Sequence, residues 1–311
     1  MDGPDRRAFL CAGVAAPAAL GTTDVGSAGE AGAAIDDGLA THAARWDATP
    51  MATVLADCER WTVLCRTVGV ASSPQWRRRG GRVSLLAARA YLDSGRPDGA
   101  LALAQRARVT ARGVEDFRTV LHGDLVAAEV WDAAQPGSYD VPLRILAQVR
   151  QRGGTSWIAA TAAMLAANLS ARRGDVEGAM TLVRGGEFLA ERLGAPEPGE
   201  YTSAHLAAFG ASALVRAGLL SEARPRLEMA AFLAEAQGPG LRSAVQMYRS
   251  SAALTGGDRA QAAEYARAAL GLSAGRPAAW LARSVLGQAR RARGQDGWEA
   301  LAYRVASWQM M

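Results

Sequence analysis

Ser94-Gly95-Arg96-Pro97-Asp98-Gly99-Ala100 returns three times in altered form. The later copies are Arg173-Gly174-Asp175-Val176-Glu177-Gly178-Ala179, Ala217-Gly218-Leu219-Leu220-Ser221-Glu222-Ala223 and Gly256-Gly257-Asp258-Arg259-Ala260-Gln261-Ala262. Each has a glycine, then an alanine five positions later, and each follows an apolar stretch with helical spacing. Glycine tolerates the left-handed conformation that ends a helix. The alanine then falls early in a second helix, where a small side chain lets two helices approach closely. Alanines recur four and seven residues on, at Ala104 and Ala107 and at Ala266 and Ala269, which makes one stripe of a 3.6-residue helix. Gly137 and Gly294 mark degenerate copies, so the six glycines are spaced by 42, 37, 44, 39 and 37 residues. A period of this size is the signature of stacked helical hairpins.

The composition agrees. Half of the 311 residues are hydrophobic but only 6% are aromatic, and alanine and leucine, both good helix formers, do most of the apolar work. The net charge is +5, and there is no lysine at all. A charge this small does not suit a surface that neutralises several phosphates, so sequence-specific nucleic-acid binding by this chain alone is not expected. Cys11, Cys58 and Cys65 form no CxxC pair, which argues against a disulfide framework or structural zinc. Cys58 and Cys65, seven apart, share a helical face and read as small buried hydrophobes. The basic run Trp76-Arg77-Arg78-Arg79-Gly80-Gly81-Arg82 reads as a solvated surface between helices or as a contact for an anion or acidic partner.

Residues 1–35 read as a flexible, Ala/Gly-rich leader. Arg6-Arg7-Ala8-Phe9-Leu10 and the apolar run after it resemble a twin-arginine export signal, and that run is too short to span a bilayer. The expected location is cytoplasmic, with export the alternative. Residues 36–311 form the repeat domain, and Thr49-Pro50 opens the second helix of a leading pair. Trp298 and Trp308 belong to a terminal helix that either caps the array or forms a homodimer contact.

The repeat pattern resembles tetratricopeptide repeats, with a slightly longer unit. Together with Arg6-Arg7-x-Phe9-Leu10 and Trp46-Asp47-Ala48-Thr49-Pro50, it is similar to the carboxy-terminal sensor region of actinobacterial helix-turn-helix regulators. No DNA-binding domain fits before Asp37. The resemblance therefore implies an all-α, right-handed superhelix of stacked helix-turn-helix repeats, acting as a stand-alone sensor or adaptor.

Catalytic motifs are absent. There is no phosphate-binding loop with its lysine and no His-Glu-x-x-His, and His42, His122 and His205 fall about 80 residues apart in different repeats. No catalytic residue, cofactor or metal is expected, and the alternatives to a binding protein are an exported helical-repeat scaffold or an atypical enzyme using the groove as its active site. A groove lined by the first helix of each pair is the better candidate. Positions near eleven, fifteen and eighteen residues before the packing alanine, and their neighbours on that face, give Arg82 and Arg89, then Asp124 and Trp131. Later repeats give Thr161, Met164, Asn168 and Arg172, then His205, Ser212 and Arg216, and finally Met247 and Ser251. Forked donors beside soft apolar area suit a protein, peptide or small-molecule ligand. Asn168 is the only asparagine and stands mid-helix, where it is a poor helix former. It reads either as an exposed polar residue or a local bond to its own helix, or, with Arg172 one turn later, as an amide-and-guanidinium clamp.

Overall fold

All four glycine–alanine turns join two helices in the same way. In a computed structural model, which describes residues 28–67, 73–196, 200–275, 278–292 and 297–308, Gly95, Gly174, Gly218 and Gly257 have φ between 74° and 88°. The amide after each glycine donates to the carbonyl five residues back: Arg96 to Tyr91, Asp175 to Ser170, Leu219 to Leu214 and Asp258 to Ala253, each at 2.9 Å. This is the Schellman closure of a helix. Asp175 and Asp258 then cap the following helix by accepting from the amides of Gly178 and Gln261, at 2.8 and 3.0 Å. Ala100, Ala179, Ala223 and Ala262 are fully buried.

The described residues form fourteen helices and no strand. A leading pair, α1 (Ala28–Ala44) and α2 (Met51–Thr67), is followed by α3 (Pro74–Asp93) with α4 (Pro97–Arg112) and α5 (Phe117–Ala134) with α6 (Asp140–Gly153). Then come α7 (Trp157–Arg173) with α8 (Val176–Glu191), α9 (Ser203–Arg216) with α10 (Leu220–Ala234), α11 (Pro239–Thr255) with α12 (Arg259–Leu272), and α13 (Ala279–Arg291) with α14 (Trp298–Trp308). The all-α reading stands. No helix among the described residues is long and apolar enough to cross a membrane.

Within the segment expected to be a leader, residues 28–35 are helical, and Ala31 and Ile35 bury against Val54, Cys58, Trp61 and Trp76. The Arg6-Arg7 segment and Gly294 lie outside the described residues, and Gly297, φ 95°, precedes α14. Trp298 is 2% exposed, and its indole N–H reaches the Arg259 carbonyl at 3.4 Å, so it packs inward. The side chain of Trp308 is outside the described set. Burial raises the Cys58 and Cys65 thiols to about 12 and about 11, which leaves both un-ionised.

Each helix packs against its hairpin partner, and the first helices also pack on one another. From α3 the contacts run through α5, α7, α9, α11 and α13, and α13 returns to α3. Asp47, after α1, accepts from the Gly240 amide at the start of α11, at 3.1 Å. The six first helices thus form a closed circuit of contacts, and the groups they turn inward meet one another.

Candidate functional site

The inward groups form one polar network drawn from five elements. From α3, the Arg89 guanidinium meets the Tyr201 hydroxyl, lies 4.7 Å from the centre of that ring and stands 3.8 Å from Glu129 of α5. Tyr201 precedes α9 and packs edge-on against His205 and Phe209, at 5.2 and 5.3 Å between ring centres. Residues 201, 205 and 209 are four apart, so one face of α9 extends its stripe back to Tyr201. From α7, Arg172 pairs with both carboxylate oxygens of Asp132 on α5, at 2.7 and 2.6 Å, and lies over the Tyr139 ring.

Electrostatics mark how enclosed these groups are. Desolvation raises Glu129, and the carboxylates of Asp93 and Asp132 raise it further against the pull of Arg89. Tyr248 of α11 is raised, again mainly by burial, and feels both Arg216 and Glu129. His205 is lowered to about 4 by desolvation and by Arg89. His122 is lowered to about 4 by desolvation, with Arg89 and Arg118 adding to the effect. Both imidazoles are therefore neutral at pH 7. His205 Nδ1 accepts the Thr202 amide at 3.2 Å and caps α9.

Arg216 stands apart. Burial of its surroundings lowers it, while the side chain itself is solvent-exposed. It makes no ion pair with a described residue, and its Nε reaches the Ser212 hydroxyl on its own helix, at 3.4 Å. Arg89 and Arg172 form ion pairs with Glu129 and Asp132, whereas Arg216 feels the Asp132 charge without pairing to it.

The chain matches no protein-family model and no curated protein. The site is therefore read from its geometry alone.

The expected groove residues divide into two sets. Arg89, Arg172, His205, Ser212 and Arg216 belong to the network or touch it. Met164 and Met247 do not line a surface: at 0% and 1% exposure both are core. Met164 fills the space over Gly186 of α8 and Gly210 of α9, where added methyls would stand 2.9 and 3.3 Å from its side chain. Met247 packs into the cluster of α11 to α14. Thr161 is buried and donates to the Trp157 carbonyl at 2.8 Å. Asp124 is buried and is held by Arg108 of α4 at 2.6 Å and Arg152 of α6 at 3.4 Å. Arg82 is exposed, 3.8 Å from Asp116, Trp131 is half-buried, and Ser251 accepts from Gln288 of α13 at 2.7 Å.

Of the two readings of Asn168, the local bond is the one seen, joined by a bond to the neighbouring helix. Its side-chain N–H group donates to the Met164 carbonyl at 3.1 Å and to the Phe209 carbonyl at 2.9 Å. Both donors are spent on backbone, and the second ties α7 to α9. The sequence reading missed Glu129, Asp132, Tyr201 and Tyr248. Among the described residues no three His, Cys, Asp or Glu side chains come together to hold a metal ion.

Proposed function

We propose that this protein is a ligand- or partner-binding sensor or adaptor. On this reading it is a cytoplasmic right-handed superhelix of tetratricopeptide-like repeats that captures a peptide, metabolite or protein on its concave face. The observation that carries the reading is Arg216, an exposed guanidinium that forms no ion pair with a described residue, beside Arg89 and Arg172, which do. A charged donor left this way gains from an incoming anion, and its fork suits a carboxylate held by two parallel bonds. Tyr248 and Ser212 flank it, and the aromatic face of Tyr201 and Phe209 offers apolar area to the rest of a ligand.

Native mass spectrometry of the purified protein is the direct test, followed by calorimetry with peptides bearing a free terminal carboxylate. The expected result is a retained small molecule or co-purified partner, or saturable peptide binding. In each case it is lost in Arg216→Ala with helicity unchanged, while peptides amidated at that end do not bind. Wild-type protein that carries neither ligand nor partner and binds none of the peptides would refute the proposal.

A further inference from the structure

The basic run at 76–82 does not act as one surface. Arg79 turns inward onto Asp36, with bonds of 3.0 and 2.7 Å, and lies over the Trp76 ring. Arg78 donates to the Val114 carbonyl at 3.3 Å, and Arg82 leans towards Asp116. Arg77 instead lines a cavity of about 160 Å³ between α2, α3 and α4, together with Arg66 from α2 and Arg106 from α4. None of the lining residues is acidic and none belongs to the Arg89–Arg216 network.

Three arginines thus line one cavity that has no acid in its wall. Arg66 and Arg106 make no hydrogen bond or ion pair with any described residue. Desolvation, and then the charge of Arg66, hold Arg106 below its ordinary value. The polar groups around them are sorted by what they can still do. The Thr62 hydroxyl donates to the Cys58 carbonyl at 2.7 Å, and Ser84 donates to the Gly80 carbonyl at 2.8 Å. Thr110 makes no side-chain bond to a described residue, so its hydroxyl is available as a donor. Cys65, also in the wall, is an un-ionised thiol and supplies no negative charge.

We propose that this cavity is a binding site for a phosphate group, inorganic or the end of a phosphate monoester, held by Arg66 and Arg106 with Thr110 as a neutral donor. A carboxylate brings one charge and a planar pair of oxygens. A phosphate carries roughly −1.5 to −2 near neutral pH and presents three acceptor oxygens, which suits guanidinium forks arriving from α2 and α4 with a hydroxyl beside them. Bringing two like charges together without a counter-ion is destabilising, and a bound dianion removes that repulsion.

Calorimetry at fixed ionic strength tests this with inorganic phosphate, phenyl phosphate and acetate, on the wild type, Arg66→Gln and Arg106→Gln. Saturable binding of phosphate or phenyl phosphate is expected, weakened at least tenfold in either variant and not displaced by equimolar acetate. Tighter binding of phenyl phosphate identifies the ester as the natural form, and tighter binding of inorganic phosphate identifies the free ion. Both side chains are unpartnered, so in phosphate-free buffer each variant should melt at or above the wild-type temperature. The proposal is overturned by an absence of saturable heat, by binding that both variants retain, or by equal competition from acetate.

Discussion

Asn168→Ala separates a residue that ties helices together from one that holds a ligand. Its two donors end on the carbonyls of Met164, one turn back, and Phe209, on the neighbouring helix. Both carbonyls lie within helices, where the backbone ladder already uses one lone pair. Truncation therefore loses a bond without orphaning an acceptor. The bond to Met164 is local and adds little. The inter-helix bond is worth about 0.5–1.5 kcal/mol, and the space left by a half-buried side chain brings the expected loss to about 1–2 kcal/mol. A purely exposed groove residue would move stability by less than about 0.5 kcal/mol. Asn168→Asp is the sharper variant. It keeps the shape but turns a donor into a carboxylate oxygen facing two carbonyl oxygens, and an unpaired buried polar group costs about 1–3 kcal/mol, more when charged. Urea unfolding followed by tryptophan fluorescence reads both, as a lower midpoint at unchanged slope. The expected order is wild type, then alanine, then aspartate. Equal stability of all three would refute the bridging role and return Asn168 to the groove.

Met164→Ala should cost about 2–5 kcal/mol as a core truncation, measured by the same unfolding curves, since the side chain has no exposure. Gly174→Ala should lose only about 1 kcal/mol of thermal stability, from the left-handed backbone alone, because its φ is 88° and nothing lies within 4 Å of the added methyl. Stability should also fall with acid. His122 and His205 titrate near 4 when folded, against an ordinary value of 6.5, so the unfolded chain binds more protons between those values. The stability is present above about pH 6.5 and is lost as pH falls towards 4, by about 1–2 kcal/mol per ring, partly offset by the raised Glu129 carboxyl. Thermal melts across this range should flatten in His205→Gln.

The hairpins were legible because their determinants are local. A glycine that must turn left-handed and an alanine that must pack fully buried lie five residues apart, and the sequence repeats that pair four times. The groove was legible only in part, because facing inward and being reachable are different properties. Arg89, Asn168, Ser212 and Ser251 each stand six residues before a turn glycine. Moving four residues further back turns the helix by about 40°, which carries Met164 and Met247 from that face into the seam with the adjacent helices. In the second repeat, Gln135-Pro136 lengthens the turn. Helix α5 stops at Ala134, three residues before Gly137, whereas α3, α9 and α11 stop two before theirs. The inward position moves to Glu129, away from the expected Asp124 and Trp131. Tyr201 lies outside any helix and has no periodicity to betray it. The charges pose the harder problem. Along each helix Arg89, Arg172 and Arg216 look alike, as basic residues on one face. Whether a guanidinium is paired depends on the facing helix: α5 supplies Glu129 and Asp132 to the first two, while Arg216 has Tyr248 of α11 beside it and shares the charge of an Asp132 already paired to Arg172. The sequence of one helix cannot contain that difference, because it is a property of the pair. The binding specificity proposed for this fold rests on it.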